Sequence, residues 1–118
     1  MTSLIASLGT GKGTWTELKK LIECFEWERI ILVTNDFGKE KFSCSKQVDF
    51  VVIDVNKDLN TLTEEIRKNI CDKIPDTEVA INIISGTGKE HMALISAVLK
   101  SGLGTRFVST SESGIKEV

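Results

Sequence analysis

A chain of 118 residues with 41% hydrophobic residues can bury a core large enough to hold without a metal or disulfide staple. Its 15 Lys plus Arg against 17 Asp plus Glu give a net charge of −2, which excludes a domain that coats long nucleic acid by neutralising phosphates along its length. Any anion site must be local.

Cys24, Cys44 and Cys71 are widely spaced with no C-x-x-C pair and the chain has a single histidine, a pattern that argues against a structural zinc centre. The cysteines read as small packing side chains of a reduced, cytoplasmic protein. Met1 to Leu8 lacks the basic and apolar regions of a signal peptide, and no run approaches the roughly 20 apolar residues of a membrane span.

Short apolar runs alternate with longer amphipathic ones, the pattern of βα units in a mainly parallel sheet. The first strand is Ser3 to Leu8. Thr14-Trp15-Thr16-Glu17 fits a capping box, and Trp15, Leu18, Leu21, Ile22 and Phe25 mark one stripe of a first helix that ends near Phe25. Arg29 to Thr34 is a second strand, followed by a polar connection through Lys46. Phe50 to Ile53 is a third strand, and Thr61-Leu62-Thr63-Glu64 repeats the capping-box pattern before a helix closed by Pro75. Glu78 to Ile84, apolar on both faces except at Asn82, suits a central parallel strand. The next helix runs from about Lys89 to Ser101 and is capped by Gly102. Its Met92, Ala93, Leu94, Ile95, Ala97, Val98 and Leu99 predict a helix covered all round, either as a helix buried against the sheet or as one whose outer side also forms a homodimer interface. Thr105 to Ser109 is a fifth strand before a polar tail.

These elements predict one α/β domain over residues 1–118. Its doubly wound, mainly parallel Rossmann-like sheet has about five strands in the order 3-2-1-4-5, with helices on both faces. Strands one and four are then neighbours whose following helices leave on opposite faces, opening a crevice at their carboxyl ends.

Two similar turns would meet there: Leu8-Gly9-Thr10-Gly11-Lys12-Gly13-Thr14 and Ser85-Gly86-Thr87-Gly88-Lys89-Glu90. Glycine lets backbone approach a ligand closely, and a helix start offers unpaired N–H groups to an anion. Each turn adds a lysine and a hydroxyl, which suits phosphate. Neither is a nucleoside-triphosphate P-loop, which would need glycine at Ala6 or Ile83 and a hydroxyl residue at Gly13 or Glu90. The dinucleotide fingerprint also fails, because its third glycine would fall on Thr14.

The stretch Asn82-Ile83-Ile84-Ser85-Gly86-Thr87-Gly88-Lys89-Glu90-His91-Met92-Ala93 resembles the second glycine motif of the CRISPR-associated Rossmann fold (CARF) superfamily. Ser7 to Gly13 is similar to that family's first ligand-contacting turn, and Gly88, between Thr87 and Lys89, departs from the tighter spacing usual there. The resemblance implies a homodimeric sensor of cyclic oligoadenylate, usually cyclic tetraadenylate, in type III CRISPR antiviral defence. It implies no cofactor, no metal, no membrane and no long nucleic acid as partner. Ligand-binding candidates are Ser7, Gly9, Thr10, Gly11, Lys12 and Gly13 on one side, and Ser85, Gly86, Thr87, Gly88, Lys89, His91 and Met92 on the other. Thr34, Asn35 and Asp36 are either adenine contacts or an ordinary strand-terminating turn.

Some members of that family cut their ligand without metal, by attack of a ribose 2′-hydroxyl on the adjacent phosphodiester. Lys89 and Ser85 are the candidate catalytic residues here, with Lys12, Ser7 and Thr10 as alternatives for charge stabilisation and ribose orientation. His91 is either a proton donor to the leaving oxygen or a packing side chain. Three classes follow: a sensor without catalysis, a stand-alone ring nuclease, and an unrelated α/β module for another nucleotide.

Overall fold

The computed structural model describes residues 2–118, the side chain of Lys12 excepted. Strand β1 (Leu4–Ser7) leads through a 3-10 turn (Lys12–Thr14) into α1 (Trp15–Glu23), β2 (Ile30–Thr34), α2 (Asp36–Lys41) and β3 (Asp49–Val52). Helix α3 (Leu59–Ile70), β4 (Glu78–Asn82), α4 (Gly88–Lys100), β5 (Gly104–Ser111) and β6 (Gly114–Glu117) complete the chain.

The sheet order is β3-β2-β1-β4-β5-β6, parallel except where β6 pairs antiparallel with β5. The expected order of the first five strands is therefore observed, and six strands replace five. The polar tail supplies the sixth because Gly114, at φ 113°, turns the chain back so that Val108 pairs with Glu117. Arg106 ties this edge down, reaching Glu78 at 3.0 Å and Glu117 at 3.1 Å, and its guanidinium holds the Glu117 carboxyl below the usual carboxylate range.

Every residue of β1 and β2 is buried, because alternate side chains feed two cores. Leu4, Ala6, Ile30 and Leu32 pack with Trp15, Leu18, Leu21 and Ile22 of α1 on one face. Ile5, Ile31, Val33, Val79 and Ile81 pack on the other with Leu62, Ile66 and Ile70 of α3 and Ala93, Leu94, Ala97 and Val98 of α4. Thus α1 and α4, which follow the neighbouring strands β1 and β4, lie on opposite faces.

Several sequence expectations are corrected. The connection after β2 contains α2, started by Asn35, whose Oδ1 accepts the Gly38 N–H at 2.9 Å. The capping boxes at Thr14 and Thr61 do not form. Thr14 is already in helical conformation and its hydroxyl donates to the Gly11 carbonyl at 3.2 Å. Helix α3 begins a turn earlier, at the N-cap Asp58, which accepts from the Thr61 N–H and hydroxyl and is held below its ordinary pKa by those bonds. The same helix stops at Ile70, ahead of Pro75. Cys24 and Cys71 are exposed and do not pack in the core, whereas Cys44 is partly buried against it, as expected of a small packing side chain. Within one chain α4 is not covered all round: Met92 is 57% and Leu99 59% exposed.

Gly38 seats α2 on the sheet. A Cβ there would stand 1.9 Å from Thr34 Oγ1 and 3.1 Å from Thr34 Cβ, and Thr34 cannot turn away cheaply because Oγ1 donates to the Leu8 carbonyl at 2.8 Å. Gly38→Ala should destabilise the chain by about 1–3 kcal/mol through overpacking, read as a lower urea midpoint. An unchanged midpoint would show that α2 is loosely seated.

Candidate functional site

Strands β1 and β4 pair in register, Leu4 with Ala80 and Ala6 with Asn82, so the chain leaves both at the same end of the sheet. The two glycine turns therefore touch. A Cβ on Gly9 would stand 2.8 Å from both Cα and N of Gly86, which is backbone against backbone. The Gly9 N–H donates to Ser85 Oγ at 2.8 Å, and the Ser7 hydroxyl donates to the Ser85 carbonyl. The Trp15 indole N–H donates to the Gly9 carbonyl at 2.9 Å from the start of α1, with its ring 5.6 Å from that of Phe42.

Between and above the turns lies a cleft of about 480 Å³, within the usual range of about 300–1,000 Å³ for small-molecule sites. Of the residues named from sequence, Gly9, Thr10, Gly11 and Gly13 line it from the first turn. Ser85, Gly86 and Thr87 line it from the second, and Asn35 from the end of β2. Thr14, Val55, Ile84 and Glu90 also line it, although sequence reasoning did not name them as site residues. A legible signal existed for Glu90, since Thr87-x-x-Glu90 fits a capping box and forms one. Asn35 and Val55 also line an adjoining, more polar hollow of about 580 Å³.

The remaining candidates lie outside the cleft lining. Ser7 and Thr34 are buried, and their hydroxyls are spent on the Ser85 and Leu8 carbonyls. His91 Nε2 lies 2.8 Å from the Ser85 carbonyl, which only accepts, so this nitrogen carries the proton and points at the turn. Lys89 is exposed and its ammonium donates to the Val55 carbonyl at 2.7 Å, on the loop after β3. Gly88 opens α4, and Met92 lies exposed one turn further on. The side chain of Lys12 lies outside the described residues. Asp36, in the first turn of α2, borders the second hollow.

Gly86 adopts φ 102°, a region that favours glycine, and a Cβ there would stand 2.5 Å from Glu90 Oε2. That carboxylate accepts the Thr87 N–H at 2.7 Å. The cleft is thus walled by the backbone of two glycine turns, by threonine side chains and by one carboxylate, with the Gly9 and Thr87 N–H groups held by Ser85 Oγ and Glu90.

Among solved structures, the chain is similar to Csm6 of Enterococcus italicus bound to cyclic hexa-2′-fluoro-hexa-dAMP, with a TM-score of 0.63 and 16% identity. The match covers 94% of this chain and 33% of that one, so the chain spans about a third of that protein's length. The likeness is one of fold. No family model matches the sequence, and no curated protein matches it. Among the described residues no helix is long and apolar enough to cross a membrane.

The Gly9–Gly86 contact yields a direct test. Gly9→Ala must push one backbone off another and should lower stability by about 1–3 kcal/mol. Gly11→Ala meets nothing within 4 Å and should leave stability within about 0.5 kcal/mol of wild type. Chemical denaturation measures both, and equal midpoints for the two variants would mean that the turns are not held together.

Proposed function

We propose that this chain is a binding domain for cyclic oligoadenylate, the second messenger of type III CRISPR defence, and that it works as a homodimer. The observation that carries this reading is the contact of two glycine turns at one mouth between β1 and β4. On this reading the two turns and the start of α4 serve as a local anion site on a chain of net charge −2, once the Thr87 N–H is released by Glu90. The CARF-like motif at Asn82 to Ala93 and a fold shared with a cyclic-oligonucleotide-bound structure support the choice of ligand.

Dimerisation follows from symmetry and from surface. A ring with two-fold symmetry presents the same groups twice, whereas one chain supplies these turns once. Ile84, 51% exposed at the cleft, is followed by exposed Met92 and Leu99 on α4. Met92 and Leu99 are seven residues apart and so share one helix face, an apolar strip leading away from the mouth.

Binding is preferred to ring cleavage because the candidate catalytic hydroxyl of Ser85 is buried and already accepts the Gly9 N–H. Incubation with labelled cyclic tetraadenylate and cyclic hexaadenylate tests the reading. Retention without linear products is expected, on a species twice the 13.0 kDa chain mass by size measurement. Linear products would instead identify a ring nuclease, and failure to retain either ring would end the proposal.

Among the described side chains, Lys89 is a cation that would exchange the Val55 carbonyl for an arriving phosphate, the stronger acceptor. Lys89→Ala should weaken retention by about 1–3 kcal/mol. Unchanged affinity in a titration would remove Lys89 from the site.

A further inference from the structure

The cleft wall holds a carboxylate that the binding reading leaves without a role. Glu90 lies in the first turn of α4, half-buried, with Oε2 on the Thr87 N–H at 2.7 Å. It packs over Gly86, where a Cβ would stand 2.5 Å from Oε2. The Thr87 N–H belongs to the donors that a helix start offers to an anion. The chain therefore already supplies an anion to the place where a phosphate would be drawn.

A phosphate seeking that N–H would come within about 4 Å of the carboxylate, a distance at which like charges repel substantially outside bulk water. The two cannot share the position. We propose that Glu90 is a resident anion that a ligand phosphate must displace, so that it sets the affinity of the cleft and its departure from Thr87 marks the occupied state. This rests on the reading of the cleft as a cyclic-oligoadenylate site and adds a regulatory element to it. The start of α4 keeps a negative partner in both states, first the carboxylate and then the phosphate, so the helix is not uncapped by the exchange.

Glu90→Gln separates charge from shape, because an amide oxygen can still accept the Thr87 N–H. The variant should bind labelled cyclic oligoadenylate about 3- to 10-fold more tightly than wild type at low salt. That gain should shrink as salt is raised, which a purely structural role would not produce. Glu90→Ala, which removes the charge without preserving the cap, should also tighten binding and guards against a folding artefact in the first variant. Retention by wild type with equal or weaker binding by both variants would overturn the role of Glu90 while leaving the site standing. Retention by neither wild type nor variants would overturn the binding reading and this inference together.

Discussion

The mouth of this molecule depends on the approach of one backbone to another, Gly9 against Gly86, at a separation that leaves no room for a Cβ. Hydrogen bonds converge on it from several elements. Ser85 is the hub, its hydroxyl taking the Gly9 N–H and its carbonyl taking both the Ser7 hydroxyl and His91 Nε2–H. Trp15 closes the other side by donating to the Gly9 carbonyl from the base of α1. The turns are thus one unit rather than two flexible loops, and groups already ordered need not be immobilised when something binds.

That contact is available only because of topology. The chain builds outward from β1 to β2 and β3 with α1 on one face, then crosses to β4 and returns with α3 and α4 on the other. Strands β1 and β4 are adjacent, but the helices that follow them diverge, and the divergence leaves a crevice at their carboxyl ends. The parallel register sets Ala6 beside Asn82, which brings the exits level. Backbone donors rather than a basic surface would then do the recognising.

Much of this arrangement was legible in the sequence. Unbroken apolar runs such as Ile30 to Val33 announce strands buried on both faces, and right-handed crossover restricts their order, so the meeting of the glycine turns could be anticipated. Local capping was less readable because pattern alone cannot rank competing caps. The capping-box pattern at Thr61 lost to Asp58 three residues earlier, and the one at Thr14 lost to a 3-10 entry, while the box that does form, at Thr87 and Glu90, sat unread inside a glycine motif. Helix α2 was hidden because six residues rich in Lys, Asp and Glu carry little periodicity. Strand β6 was hidden because an edge strand of Gly-Ile-Lys-Glu offers a single apolar side chain, Ile115, to the core. That the hydroxyls of Ser7, Ser85 and Thr34 bond to neighbouring turns was not legible, because a sequence does not reveal which carbonyl or N–H comes within reach.

The charge balance has a meaning that the local geometry supplies. A net charge of −2 supplies no overall long-range attraction for polyanions such as long nucleic acids, which bind largely through accumulated phosphate contacts. A small cyclic ligand on the proposed site needs only a few phosphates at defined positions, and oriented N–H groups serve it without a basic field. If Glu90 is displaced as proposed, its carboxylate at the helix start sharpens the distinction, because an anion held by several groups at once would be needed to take its place. On the proposed reading, low affinity for stray phosphate and useful affinity for a multivalent ring would arise from the same few atoms around Gly86.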